Sequence, residues 1–490
     1  MSYRTVDPVN GGLGGASKFP QPASFRFLWR AYRRTGSDLY REVVATTLDR
    51  MCQGGIYDHL GGGFARYSTD EEWLAPHFEK MLYDNALLID LMTEAWHGTN
   101  SRLYEIRVAE TIDWALREMK VEDGAGRFAF ASAFDADSEG VEGKFYVWSE
   151  DEIDALLGAD APLFKQAYDV SAGGNWEGHN ILNRRRKPLL ESDVYEAALR
   201  TSRDKLRAVR DARIWPQRDD KVLVDWNALM IVGFARAGAG FDRTDWIAVA
   251  ETVFDFVRAN MLEDGRLRHS WRDGRLKHPS VLDDYVFMAL AAQVLFEVTG
   301  DADYLRQAEA WVEVINARFW DSEAGGYFLS ADDVTDLITR SKTAADNATP
   351  AANGVIVEVL ARLYLTTGEA AHRERAEELV RVFAGDEPRH LVNTPSLAIG
   401  FEFLVDGTQV VIAGAPDETA TAVLLRAAFD SGLQDKVILR AAPDAPLPEG
   451  HPAAGKGPID GVAAAYICRG ATCGLPITDP ELLRHELSRR

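Results

Sequence analysis

Cysteine is almost missing from this chain: Cys52, Cys468 and Cys473 are all that 490 residues contain. So sparse a set excludes a disulfide framework. The last two lie in Tyr466-Ile467-Cys468-Arg469-Gly470-Ala471-Thr472-Cys473, which lacks the Cys-x-x-Cys redox spacing and has no companion metal ligands nearby. Buried free thiols are expected there, and no metal site. Long apolar runs are also lacking, and stretches such as Val286–Leu290 are far too short to cross a bilayer. The opening Met1-Ser2-Tyr3-Arg4-Thr5-Val6-Asp7 has no signal-peptide core, so a cytoplasmic location without a membrane partner is expected. Basic charge is in deficit too: 54 Lys and Arg against 76 Asp and Glu leave a net charge of −22, which repels nucleic-acid phosphates. The basic run Arg184-Arg185-Arg186-Lys187 reads as a solvated loop. Asn10-Gly11-Gly12-Leu13-Gly14-Gly15 has neither a preceding strand nor the lysine-serine ending of a phosphate loop. No nucleic acid and no cofactor is therefore expected.

What the chain does contain is repetition. Corners of the Thr-Gly-Asp type occur at Thr35-Gly36-Ser37-Asp38, Gly98-Thr99-Asn100, Gly240-Phe241-Asp242, Thr299-Gly300-Asp301 and Thr367-Gly368-Glu369. Their glycines recur roughly every 60–70 residues with one gap near double that, which places a degenerate sixth unit around 150–210. Each corner glycine suits a C-cap and the following Asp or Ser an N-cap. Helices ahead of the corners (Phe78–Trp96, Trp226–Ala237, Asp284–Val298, Gly354–Leu365) are apolar all round. Those behind (Leu39–Met51, Leu103–Met119, Trp246–Met261, Tyr304–Phe319, Ala371–Phe383) carry a single apolar stripe. That contrast predicts inner helices surrounded by outer ones. Ser149-Glu150-Asp151-Glu152 reads as a capping box opening the weak unit. The fold class expected is all-α, an (α/α)6 toroid of six helical hairpins over residues 1–405. A small α/β appendage follows over 406–490, with strands at Thr408–Ala413, Lys436–Leu439 and Val462–Cys468, a helix at Glu418–Ala428 and a loop over Ala441–Pro458.

The return connections are long and glycine-rich, with short β excursions, and long connections carry function more often than tight corners do. The densest polar cluster is Trp73-Leu74-Ala75-Pro76-His77-Phe78-Glu79-Lys80-Met81-Leu82-Tyr83-Asp84-Asn85, in which His77, Lys80 and Asp84 fall on adjacent faces if the stretch is helical. A purely structural polar layer competes almost evenly with a catalytic role there. Asp84, Asp225, Asp284 and Asn353 stand at matching distances ahead of their corners, around one expected cavity mouth; any one alone reads as an N-cap, four together less readily. The loops Asp135-Ala136-Asp137-Ser138-Glu139-Gly140 and Asn175-Trp176-Glu177-Gly178-His179-Asn180 add carboxylates, though the first lacks the twelve-residue series of a calcium site. The catalytic candidates are His77, Asp84, Asp135, Asp137, Asp225 and Asp284. Tyr67, Trp73, Lys80, Glu177, His179, Trp226, Asn227, Tyr285 and Asn353 are the substrate-binding candidates. Aromatics beside carboxylates suit a sugar, though Trp226 and Trp148 serve equally well as core.

The stretches Gly11–Pro20, Gly54–Asp58, His77–Asn85, Asp135–Gly140, Asp219–Asn227 and Leu282–Tyr285 resemble the YyaL-like thioredoxin-domain-containing proteins, relatives of spermatogenesis-associated protein 20. The resemblance spans nearly the whole chain. It implies a toroid like those of the six-hairpin glycosidases and N-acylglucosamine 2-epimerases, preceded in the family by a thioredoxin-like domain whose part is missing here. It assigns no reaction.

Two mechanisms suit a carbohydrate-active enzyme on such a ring. Hydrolysis needs two carboxyls, about 5–5.5 Å apart for retention or 6.5–9.5 Å for inversion. Epimerisation or isomerisation needs two tuned acid/base groups, for which His77, His179 and His269 from separate repeats are available. The alternative is a non-catalytic sugar- or peptide-binding toroid that partners a separate thioredoxin-like protein.

Overall fold

The computed structural model describes residues 6–335, 337–385, 393–441, 447 and 451–488. Part of the loop expected over Ala441–Pro458 therefore lies outside the described residues. The chain divides into two compact units, one of Met1–Trp96 with Asn100–Leu223 and one of Val224–Arg490 with His97–Thr99.

The first unit contains helices α1 (Pro22–Thr35), α2 (Asp38–Gln53), α3 (Leu82–Thr99) and α4 (Arg102–Glu118), followed by α5 (Glu150–Leu157), α6 (Ala161–Tyr168) and α7 (Asp193–Arg210). The degenerate repeat is thus three helices, and Ser149 and Glu152 form the reciprocal cap that opens it. The second unit contains α8 (Val224–Gly240), α9 (Thr244–Asn260), α10 (Leu282–Thr299), α11 (Ala302–Arg318), α12 (Ala352–Thr367), α13 (Ala370–Phe383) and α14 (Pro395–Asp406). Here α8, α10, α12 and α14 pack side by side in chain order, while α9, α11 and α13 each fold back on the helix before them. Burial follows the sequence pattern: α8, α10 and α12 are enclosed nearly all round, whereas α11 buries one stripe of Tyr304, Ala308, Trp311, Val312 and Ile315. Gly36, Gly300 and Gly368 take the left-handed C-cap conformation expected of corner glycines; at the second corner Asn100 takes it rather than Gly98, and at the third Gly240 lies within α8 while Asp242 is left-handed. No corner pattern anticipates α14.

The helical reading of His77–Asp84 needs correction. Pro76–His77 and Lys80–Met81 are short strands, and α3 begins only at Leu82. His77, Lys80 and Asp84 therefore do not share a helix.

One loop design recurs three times. Asp7, Asp58 and Asp321 each receive a backbone hydrogen bond at the carbonyl from Gly11, Gly62 and Gly325, and each donates its own amide to Gly12, Gly63 and Gly326. The flanking residues bridge as Val6 with Leu13, Tyr57 with Phe64 and Trp320 with Tyr327. Each aspartate side chain accepts two loop amides and one lysine: Lys18, Lys80 or Lys342, whose ammonium also reaches the carbonyl of Gly11, Gly62 or Gly325. The paired glycines are required by space as well as by φ. A Cβ on Gly62 would lie 2.4 Å from the Glu110 carbonyl oxygen of α4, and one on Gly63 2.7 Å from the Trp114 ring. Asn85 and Asn353, early in α3 and α12, clamp the strand residue after the glycines, each bonding both backbone groups of Phe64 or Tyr327.

The stretch after α14 forms a four-stranded sheet. Thr408–Ala413 pairs parallel with Lys436–Ala441 through helix α15 (Thr419–Asp430), and antiparallel with Ala464–Arg469, which pairs with Thr472–Cys473. Helix α16 (Pro480–Ser488) covers α15. Its side chains meet the open carbonyls at the corner ends of the unit's inner helices. Arg426 donates to Ala239 and Gly240 of α8, Arg440 to Val298 and Thr299 of α10, and Gln409 to Leu365 of α12. Cys468 and Cys473 stand opposite each other in the antiparallel register and form a disulfide, with Cα atoms 3.9 Å apart. This corrects the expectation of free thiols. Cys52 alone among the described cysteines is free, buried against Met92. No described helix is long and apolar enough to cross a membrane.

Asp58 shows how strongly these pins act. It is buried between Lys80 at 2.8 Å and Arg210 at 2.7 Å. Burial alone would raise its pKa, but Arg210 and Lys80 outweigh it and hold the carboxyl far below the usual range. Asp58→Ala leaves two buried cations unpaired and should cost about 3–5 kcal/mol in urea unfolding. Arg440→Ala, which frees only carbonyl oxygens, should cost about 1–2 kcal/mol. Equal losses for the two variants would contradict the pin.

Candidate active site

Asp284 lies in the first turn of α10, where a carboxylate faces the unpaired amides of the helix start. Its Oδ2 accepts the Val281 amide at 2.8 Å, and its Oδ1 accepts the Asp225 amide at 3.2 Å. His269 arrives from the strand Arg266–Arg272, which is fixed by pairing with Leu262–Glu263 and Arg275–Pro279. Its Nδ1 lies 3.0 and 3.1 Å from the two Asp284 oxygens. With Asp284 fully buried, Nδ1 carries the proton and no described residue bonds Nε2. Asp225, in the first turn of α8, completes the group: its Oδ1 accepts the Trp226 amide at 2.9 Å. One ligating atom from each of the three side chains lies within 4.8 Å of the others.

The proton affinities of this group are displaced together. Burial, reinforced by the Asp284 charge, raises the Asp225 carboxyl to about 8. Burial disfavours the His269 cation, but its hydrogen bond and charge attraction to Asp284 prevail and raise it to about 9. Burial and then Asp284 lift Asp283 to about 6. Both shifts favour the protonated forms of Asp225 and His269 beside Asp284. The same three side chains are those that could hold a metal ion among the described residues.

No family model matches the chain. Spermatogenesis-associated protein 20 of Rattus norvegicus is 31% identical over 530 residues, spanning 98% of this chain and 67% of that protein. The Homo sapiens protein of the same name is 30% identical over 537 residues, with the same shares. The chain belongs to the spermatogenesis-associated protein 20 family. An uncharacterized Caenorhabditis elegans protein is 28% identical over 522 residues, covering 96% of this chain and 70% of that one. Among solved structures, D-mannose isomerase is 11% identical over 78% of this chain and 82% of its own, with a TM-score of 0.51. That likeness shows the fold, an α/α toroid carrying small sheets.

In this member of the spermatogenesis-associated protein 20 family, the other sequence candidates fall in varied settings. His77 lies between Glu142 at 2.7 Å and Glu79 at 3.2 Å and stacks on Tyr67. Asp84 is buried with no hydrogen-bond partner on Oδ2, and burial raises its carboxyl well above the usual range. Lys80 is consumed by the Asp58 pin, and Trp73 is buried with Nε1 bonded to the Asn10 carbonyl. Asp135 and Asp137 are exposed, the Asp137 amide reaching Asp135 at 3.3 Å. Glu177 and His179 are exposed on a tight turn closed by the Trp176–His179 bridge. Asn227 is buried in α8 next to Trp226, and Tyr285 accepts the Leu267 amide at its hydroxyl. Asn353 is committed to Tyr327 and Thr343. Of the catalytic candidates, Asp225 and Asp284 meet, and the histidine that joins them is His269.

Asp225 and His269 both hold protons more tightly folded than unfolded. Their contribution to stability is complete below their ordinary values of 3.8 and 6.5 and is lost as pH rises through about 8 and about 9. Asp225→Asn removes the first part. The melting-temperature gap between wild type and Asp225→Asn should therefore shrink steadily from pH 5 to pH 8.5; a constant gap would contradict the assignment.

Proposed function

We propose that the chain is a sugar isomerase or epimerase whose acid–base centre is Asp225, His269 and Asp284. The observation that carries this reading is His269 held through Nδ1 by Asp284, its Nε2 open, beside an aspartate kept protonated by burial. Proton transfer at a sugar carbon needs two such groups within reach of one substrate. In this reading deprotonated Asp225 removes the proton alpha to the open-chain carbonyl, and the His269 imidazolium donates to the carbonyl oxygen. Asp284 fixes the imidazole tautomer and balances its charge without touching substrate. Hydrolysis fits less well. It needs two free carboxyls at a set separation, whereas Asp284 already accepts three N–H donors. The toroid shared with D-mannose isomerase supports a carbohydrate substrate by analogy of fold alone. The reading of a sugar- or peptide-binding toroid with a separate thioredoxin-like partner has no geometric counterpart to these paired proton affinities.

Incubation of the protein with D-mannose, D-glucose, N-acetylhexosamines and cellobiose in D2O tests the reading, with NMR following exchange at C2. At least one sugar should exchange, with a rate maximum between about pH 8 and about pH 9, where Asp225 has lost its proton and His269 retains it. His269→Asn and Asp225→Asn should each lower the rate by roughly 100-fold or more. New reducing ends without exchange would establish a hydrolase instead, and binding without either reaction would favour the non-catalytic reading.

A further inference from the structure

A cavity of about 340 Å³ lies within the first unit, between the end of α4 and the segment after α7. It falls in the size range of small-molecule sites. Trp215 forms one wall, its Nε1 donating to the Asp211 carbonyl at 3.0 Å and its ring lying 4.6 Å from Phe145 and 5.8 Å from Phe134. The Asp135–Ser138 loop fixes this wall: Ser138 Oγ donates to the Ile214 carbonyl at 2.6 Å and the Asp135 amide to Gln217 at 2.8 Å.

Two guanidinium groups and two carboxyls line the same space. Arg218 is anchored by the Glu118 carbonyl at 2.7 Å and by Asp220 at 2.6 Å. Arg117 bonds the Glu118 side chain, which is only 7% exposed, and the Gly61 carbonyl. Asp211 Oδ1 is buried with no hydrogen-bond partner, its nearest cation being Arg210 Nε at 3.8 Å.

We propose that this cavity binds a neutral pyranose, as a carbohydrate site separate from the Asp225–His269 centre. The lining carries both signs, Arg117 and Arg218 beside Glu118 and Asp211, so an ion of either sign meets a like charge as well as an opposite one. Hydroxyl groups both donate and accept. They can donate to the accessible part of the Asp211 carboxyl, whose side chain is about a third exposed, while accepting from Arg117 and Arg218. The Trp215 face suits the C–H face of a pyranose ring.

The test uses the full chain labelled with 5-fluorotryptophan, the Trp215 resonance being assigned by its loss in Trp215→Phe. Methyl glucoside, methyl mannoside and cellobiose are titrated, with glucuronate and glucosamine as charged counterparts. The Trp215 signal should shift saturably with at least one neutral sugar and far less with either charged one. Arg117→Ala should raise the half-saturating concentration roughly tenfold, and Asp225→Asn should leave it unchanged. A Trp215 signal that no neutral sugar moves up to its solubility limit, or one that moves equally with the charged sugars, overturns the proposal. The readout belongs to Trp215 alone, so its failure is distinct from a failure of C2 exchange.

Discussion

A carboxylate that gathers backbone amides and a cationic side chain is the interaction on which this structure depends. Asp7, Asp58 and Asp321 each close a glycine-paired loop in this way, with Lys18, Lys80 and Lys342 as the cations. Unpaired, the enclosed Asp58 charge would carry a large desolvation penalty; paired and amide-bonded, each aspartate holds a long connection in one conformation. Asp284 repeats the scheme with a different cation. It accepts the amides of Val281 and Asp225, but its positive partner is His269, whose charge is lost as pH rises through about 9. At that position the element that stabilises a loop also becomes one that can exchange protons.

The two ends of the second unit's helices are used differently. At the corner ends, Arg426, Arg440 and Gln409 from the C-terminal sheet region occupy carbonyls of α8, α10 and α12. At the opposite ends, α8 and α10 begin with Asp225 and Asp284, where amide donors favour negative charge. One end is closed by protein groups, and the other presents titratable ones.

Much of the helical framework was legible in the sequence, because left-handed glycines at Gly36, Gly300 and Gly368 mark corners that few other residues can form. The contrast between apolar helices such as α10 and striped ones such as α11 was equally plain. The aspartate–lysine pins were not. Their partners stand 11, 22 and 21 residues apart, with no common spacing to read. The same limit misplaced Lys80 and His77 on a helix: polar residues spaced three and seven apart fit one, but pairing of Pro76–His77 with Tyr67–Ser68 and of Lys80–Met81 with Ala133–Phe134 makes them two strands. Asp225 and Asp284 were found from their matching places at helix starts. His269 was only one histidine among several until the strand Arg266–Arg272 was seen to carry it to Asp284. The Cys468–Cys473 bond likewise follows from strand register, which spacing alone does not reveal.

The most direct test of the account is the nitrogen-15 NMR titration of His269, assigned by its loss in His269→Asn. Asp284 should keep Nδ1 protonated throughout, so that only the Nε2 signal moves, with a midpoint near pH 9. Asp284→Asn should lower that midpoint by at least one pH unit, since it removes the largest favourable interaction of the imidazolium. A midpoint at the ordinary histidine value in the wild type, or one that Asp284→Asn leaves in place, would contradict the claim that Asp284 sets the chemistry of this site.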